Sequence, residues 1–405
     1  MRPTAISEEP GLTVGVEEEF LLTDPVSGET TARADAVLAR TRSLPMPSGA
    51  QFHLELLGTQ VEAASAVCTD LPTLGRRLAA ARSELAASAR REGALLISSG
   101  TAPLPGPLPP ASEGERFARI RDLYAGVVRD YEVSGCHVHV GVADRDTAVA
   151  VVNHLRPWLP TLLAVSANSP HAGGADTGYA SWRMLQQARF PGAGLPPWFP
   201  SAEDHDRETA RLAECGVVVD PAMSFWLARP SPHLPTVEVR AADAVPTAEE
   251  ALLQAALTRG LVRTALAELA AGRTASRVPN DQVGAAAVWA PARYGLAGDG
   301  VDPVGERRVP AARLAAALLD HVAPALEETG DLDRTRTLLG RVLREGTGAD
   351  HQRRAAAGGM RAVVEALARR TSPHPTSANG DEVDADGRMD GIGAGTAGPS
   401  PETLR

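Results

Sequence analysis

Apolar residues recur every three or four positions along some stretches of the chain and alternate with polar ones along others, which separates helices from strands. Leu71, Leu74, Leu78, Ala81 and Leu85 share one face of a predicted helix. It starts behind Asp70 as N-cap, carries Pro72 in its first turn and ends near Gly93. Phe117, Ile120, Tyr124, Val127 and Tyr131 mark a second helical face. Patterns rich in Ala and Leu, both strong helix formers, predict helices over 147–166, 248–271, 311–328, 332–344 and 349–370. Strand character falls over 12–23, 52–63, 94–99, 136–142, 223–229 and 236–241. The last two strands flank a turn containing Pro230, Pro232 and Pro235, as a hairpin would. Strands and helices do not alternate regularly, so the expected class is α+β with a mainly antiparallel sheet flanked by helices.

A single catalytic domain is expected over 1–370. Residues 371–405 are Pro, Gly, Ser and acidic text with few apolar side chains, which cannot offset ordering entropy, and predict a disordered tail. The Pro-rich stretch 101–115 reads as a stiffened loop, either bordering a substrate opening or simply connecting two elements.

Four strands carry unusual polar faces. Val14, Val16, Phe20 and Leu22 point one way and Glu17 and Glu19 the other. Paired carboxylates repel unless water solvates them or a cation joins them. Glu55 and Glu62 lie in a largely apolar segment seven residues apart, so a bulge at Gly58 is needed to bring both to one face of an unbroken strand. His137 and His139 alternate with Cys136, Val138 and Val140. Glu238 and Arg240 alternate with Val237 and Val239, either as part of a site or as a cross-strand ion pair. Taken together, carboxylate oxygens with an imidazole suit Mg2+ or Mn2+ and the phosphates of a nucleotide. A zinc hydrolase needs fewer acids and more His or Cys, and a glycosidase only two carboxylates. No GxxxxGKS or GxxxxGKT loop and no GxGxxG after a strand is found, so metals and basic residues would have to hold a nucleotide.

Composition narrows the partners. Against 40 Lys and Arg stand 50 Asp and Glu, a net charge of −10, with no basic run to follow a phosphate backbone, so nucleic acid is not expected. Neither a secretory signal nor a membrane span is legible, which predicts a cytoplasmic protein with no membrane partner. The three cysteines, Cys68, Cys136 and Cys215, are widely spaced and read as reduced thiols.

The motifs TVGVEEEFLLTDP at 13–25, SGCHVHVGV at 134–142, ANSP at 167–170, GYASWR at 178–183 and TVEVRAADAVPT at 236–247 resemble the carboxylate-amine ligase family, the second type of glutamate–cysteine ligase. ARYGLAGDGVDP at 292–303 and GTGADHQRR at 346–354 extend the resemblance over nearly everything before the tail. It implies a glutamine synthetase-like cupped antiparallel sheet with ATP and Mg2+ in a funnel. It also implies that ATP phosphorylates the side-chain carboxylate of glutamate and that cysteine, or another amine, attacks the acyl phosphate. Carried over by position, Glu17, Glu19, Glu55, Glu62, His137 and Glu238 match metal ligands, and Arg240 matches the arginine beside the transferred phosphate. His139 is left between substrate and nucleotide, and Arg183 and Arg189 are read as anion holders for glutamate or the acyl phosphate. The partners implied are small molecules, with a homo-oligomer left open. Three alternatives stand beside this reading: the same chemistry on another amine and carboxylate, a metal-dependent hydrolase, and a binding module without turnover.

Overall fold

Alternation of Val14, Val16, Phe20 and Leu22 with polar residues builds the longest strand, β1 (Val14–Thr23), whose apolar side is fully buried. It is the hub of a seven-stranded sheet made with β2 (Gln51–Leu54), β3 (Gln60–Ala64), β4 (Leu95–Ile97), β5 (Gly135–Gly141), β6 (Ala228–Pro230) and β7 (Thr236–Asp243). The order is β2-β3-β1-β5-β7-β6, with β4 also pairing with β1, and every pairing is antiparallel. The computed structural model describes residues 9–45, 47–108, 110, 112–220 and 223–372, all within one unit that spans Met1–Pro373. The expected tail beyond Ser372 lies outside the described residues.

One face of the sheet is packed by helices. Val14, Val16, Val138, Val140, Val237 and Val239 meet Leu74 and Leu78 of the helix Leu71–Arg91 and Leu252, Leu257 and Leu261 of the helix Ala248–Ala270. Asp70 caps the first of these by accepting from Thr73 N at 2.7 Å, as its sequence position predicts. Glu18 breaks the apolar face of β1, and Arg82 of the same helix answers it at 2.6 Å with both side chains buried.

Several predicted elements are shorter than their periodicity suggests. The pattern over 147–166 forms two helices, Arg145–Leu155 and Leu159–Ser166, because Pro157 stops the first and Pro160 occupies the opening turn of the second. The pattern over 349–370 forms Gly348–Ala355 and Met360–Thr371, divided where Gly359 takes a φ of 87°. The helix Glu115–Tyr124 ends before Tyr131. Of the strand expected over 223–229 only its end pairs, and Pro230 belongs to β6, an edge strand where a missing N–H is tolerated.

The segment 52–63 departs most from its reading. It is a hairpin, not one bulged strand: β2 and β3 pair antiparallel with His53 opposite Glu62 and Leu54 opposite Val61. Gly58 sits in the connection and donates its N–H to Pro110 O at 2.9 Å. The Pro-rich stretch therefore packs on this hairpin, and Ser112 N also donates to Leu56 O at 2.9 Å.

Candidate active site

The unpacked face of the sheet gathers the polar positions in rows. Glu17 of β1 lies opposite His137 of β5, Glu19 of β1 opposite Glu62 of β3, and Glu238 of β7 opposite both His139 of β5 and Arg229 of β6. The register between β5 and β7 slips between Cys136 and Val138, so Arg240 and Ala241 together oppose His137. A bulge does shape the site, at His137 and Arg240 and not at Gly58. Glu55, just past β2, joins the rows because the hairpin folds it back beside Glu62.

Two groups of donors result. In Glu17, His137 and Glu238, and separately in Glu19, Glu55 and Glu62, one ligand atom from each residue lies within 4.8 Å of the others. The imidazoles are held among acids without being hydrogen-bonded by them. His137 Nδ1 is 3.6 Å from Glu17, His137 Nε2 3.7 Å from Glu19 and His139 Nε2 3.4 Å from Glu17. Both Nε2 atoms are buried without a hydrogen-bond partner, and buried polar atoms left this way call for an unseen partner such as an ion. His139 Nδ1 is engaged by Thr236 Oγ1 at 2.9 Å.

The electrostatics point the same way. Burial, and next the charge of Glu19, pushes Glu55 up to about 8. Burial and then Glu55, Glu17 and Glu19 push Glu62 up to about 10. Without a cation these acids hold protons. Burial, followed by Arg240, pushes His137 below its usual range, so it is neutral and offers a lone pair. Burial would raise Glu17, but its closeness to His137 and then His139 holds it well below the usual carboxylate range. Burial would raise Glu238 as well, but Arg240 and Arg229 hold it well below the usual carboxylate range. Arg229 grips Glu238 as a fork, Nε at 2.8 Å and Nη2 at 3.2 Å, and Arg240 reaches the same carboxylate. The cross-strand ion pair is thus present alongside the donor cluster, so Glu238 would share its oxygens between arginines and a metal. The donor set, carboxylates with one neutral imidazole, fits Mg2+ or Mn2+ better than a soft metal.

Arg183 lies in the first turn of the short helix Trp182–Gln187 and is buried against Gly135 of β5. Its Nη2 donates to Arg240 O at 3.3 Å, while Nε and Nη1 have no hydrogen-bond partner. Gly135 makes this approach sterically feasible: a Cβ there would stand 2.4 Å from Arg183 Nη2 and 3.0 Å from His137 Nε2. Its N–H is also used, donating to Glu19 Oε2 at 2.5 Å.

Arg189 is not brought to the clusters. It lies exposed, 3.5 Å from Asp130 and over the ring of Tyr131. Tyr131 belongs to an aromatic wall with Phe190, Phe225 and Tyr124, where Tyr131 meets Phe190 edge-on at 4.8 Å and Phe190 stacks on Phe225 at 4.2 Å. Burial pushes the Tyr131 hydroxyl up, and Arg183, Glu19, Arg240 and Arg189 are its charged neighbours.

Sequence reasoning missed Arg229 and Tyr131. Arg229 could have been found as the partner of Glu238 across the predicted hairpin. Tyr131 was assigned to a helical face that ends before it. The three cysteines are free, and Cys68 and Cys136 are buried. Among the described residues no helix is long and apolar enough to cross a membrane.

Comparison with known proteins agrees with the geometry. A 57% identical relative from Saccharopolyspora erythraea, named "Putative glutamate--cysteine ligase 2-2", aligns over 90% of this chain and 93% of its own. A Nocardia farcinica protein named in the same way, 2-1, is 42% identical over 93% of this chain and 99% of its own. Among solved structures, the bifunctional glutathione synthetase of Pasteurella multocida is similar with a TM-score of 0.66 at 13% identity. The match covers 89% of this chain but only 52% of that protein. A Francisella tularensis glutamate–cysteine ligase in complex with AMP gives 0.59 at 12% identity, over 89% of this chain and 88% of that one. At such identities the likeness concerns the fold, and it agrees with the expected antiparallel sheet flanked by helices. The family described as glutamate–cysteine ligase family 2 matches residues 13–366, and the chain belongs to it.

Proposed function

We propose that this protein is an ATP-dependent carboxylate–amine ligase that forms γ-glutamylcysteine from glutamate and cysteine through an acyl phosphate. The observation that carries this reading is the pair of donor triads on one sheet face, with Arg183 and Arg240 beside them. Six of the ten assigned positions lie in those triads, which neither a hydrolase with one activated water nor a simple binding surface requires.

Glu17, His137 and Glu238 would hold one Mg2+ or Mn2+, and Glu19, Glu55 and Glu62 another. Cations held by these residues would supply Lewis-acid stabilisation of the charge that develops in phosphoryl transfer. Arg240, anchored on Glu238, supplies donors to the transferred phosphoryl group. Arg183, whose Nε and Nη1 have no hydrogen-bond partner, would hold the carboxylate of the substrate. His139, tied to Thr236, lines the nucleotide side. Arg189, at the rim beside the aromatic wall, meets the incoming substrate and not the reacting atoms. A cytoplasmic enzyme acting on small molecules fits this chemistry.

The test is phosphate release from ATP with Mg2+ and glutamate, alone and with a panel of amines that includes cysteine. The reading expects release that depends on glutamate and a peptide product that depends on cysteine. Release favouring another amine keeps the chemistry and changes the substrate. Consumption of substrate without ATP would refute the ligase assignment.

A further inference from the structure

The motifs ANSP, GYASWR and GTGADHQRR give no residue to the donor triads; the first two hydrogen-bond one carboxylate, Asp243 at the end of β7, and the third braces Asn168 beside it. Asp243 is wholly buried. Its Oδ2 accepts from Asn168 N at 2.9 Å and Ser169 Oγ at 2.7 Å, and its Oδ1 accepts from Ser181 Oγ at 2.8 Å. Asn168 is fixed in turn: its amide donates to Ser98 O at 3.0 Å and Ala244 O at 2.6 Å, and its Oδ1 accepts from Gln352 at 2.8 Å. The cage is sterically closed, since a Cβ at Gly100 would stand 2.8 Å from Asp243 Cγ and one at Gly348 would stand 2.2 Å from Asn168 Oδ1.

Burial pushes the Asp243 carboxyl up, and the charge of Arg183, ahead of the three neutral donors, pulls it back toward the ionised form. Among the described residues the ion-pair partner of Asp243 is Arg183, whose Nη1 faces Oδ1 at 3.9 Å. At that distance the guanidinium is drawn toward Asp243 without a hydrogen bond, and its buried Nε and Nη1 are left with no hydrogen-bond partner. The same residues also fix the Arg183 backbone, because Arg183 N donates to Ser169 Oγ at 3.1 Å and Ser181 caps its helix.

We propose that Asp243 is a positioning residue, which with Ser169 and Ser181 aims Arg183 at the carboxylate of the substrate. This rests on the ligase reading above. A cage that served stability alone would change the amount of folded enzyme, hence kcat, and leave the Michaelis constants where they are. A positioning role changes one of them selectively.

Asp243→Asn separates the two. An amide placed with its oxygen at Oδ2 keeps the bonds from Asn168 and Ser169, and the Ser181 hydroxyl can turn to accept from the new N–H. The attraction on Arg183 is lost. The expected result is a roughly tenfold rise in KM for glutamate, the size of one charge-assisted hydrogen bond, with kcat and KM for ATP within about twofold of wild type. In an Arg183→Gln background the further effect of Asp243→Asn should vanish. Should Asp243→Asn fail to fold, Ser181→Ala, which frees the oxygen facing Arg183, is expected to raise KM for glutamate about threefold at unchanged kcat. An unchanged KM for glutamate in the folded variant, or a loss confined to kcat, overturns the assignment. Wild-type protein that releases no phosphate with glutamate instead sinks the ligase reading, and this assignment with it.

Discussion

Proton release on cation binding follows directly from the second donor triad. Burial and neighbouring carboxylates push Glu55 up to about 8 and Glu62 up to about 10, so at pH 7 both carry protons while no cation is bound. A divalent ion needs their ionised oxygens and must expel those protons. The sign is fixed: groups raised above their ordinary range in the cation-free protein make binding weaker at low pH and stronger as pH rises through their ionisation. With ionisation near 8 and 10, close to two protons should leave per protein molecule at pH 7. Mg2+ affinity should therefore climb roughly 50- to 100-fold per pH unit from about pH 6 to 7.5, and about tenfold per unit above about 8. Glu62→Gln replaces a protonated acid with a neutral amide of the same shape, so the cation-free fold should be unaffected. One fewer proton should leave, and affinity at this triad should collapse. Calorimetric Mg2+ titrations in buffers of different ionisation enthalpy count the protons. Binding without proton release, with affinity flat across this pH range, would refute the reasoning.

Three further outcomes are expected. Arg82→Ala leaves the buried Glu18 carboxylate without its partner and empties donors to Val245 O and Pro246 O, so it should cost about 3–5 kcal/mol in urea unfolding, and a loss below about 1 kcal/mol would show the pair to be dispensable. Gly135→Ala should lower glutamate-dependent phosphate release roughly 100-fold, because a Cβ 2.4 Å from Arg183 Nη2 displaces that side chain, and near-normal kinetics would place Arg183 outside the reaction. The double variant Glu17→Gln, Glu238→Gln should abolish ATP turnover while circular dichroism reports an intact fold, and retained activity would reject the metal-holding roles.

Much of the site was legible because strand alternation is strict where one face packs and the other carries chemistry. Glu17, Glu19, His137, His139, Glu238 and Arg240 were placed by period alone, and β1, β5 and β7 then set them side by side. Pairing distances were not legible. Nothing local distinguishes a bulged strand from the hairpin 51–64, because Glu55, Leu56 and Leu57 continue the strand-like text through the turn. Glu18 was passed over since its partner Arg82 lies 64 residues away on a helix. The helix Ala202–Glu214 was missed because it buries little beyond His205 and Thr209 and so has no apolar stripe. Asp281–Tyr294 was hidden by Pro291 in its last turns. The aromatic wall joins residues from 124 to 225, an assembly only tertiary packing produces.

Two cation sites sharing this sheet face are the foundation of the proposed chemistry. Crystals grown with Mn2+ and an ATP analogue, and measured for anomalous scattering, test for them most directly. One peak should touch Glu17, His137 and Glu238, and a second Glu19, Glu55 and Glu62, each at roughly 2.0–2.3 Å from its ligand atoms. Peaks absent from both triads, with the nucleotide bound elsewhere, would contradict the account.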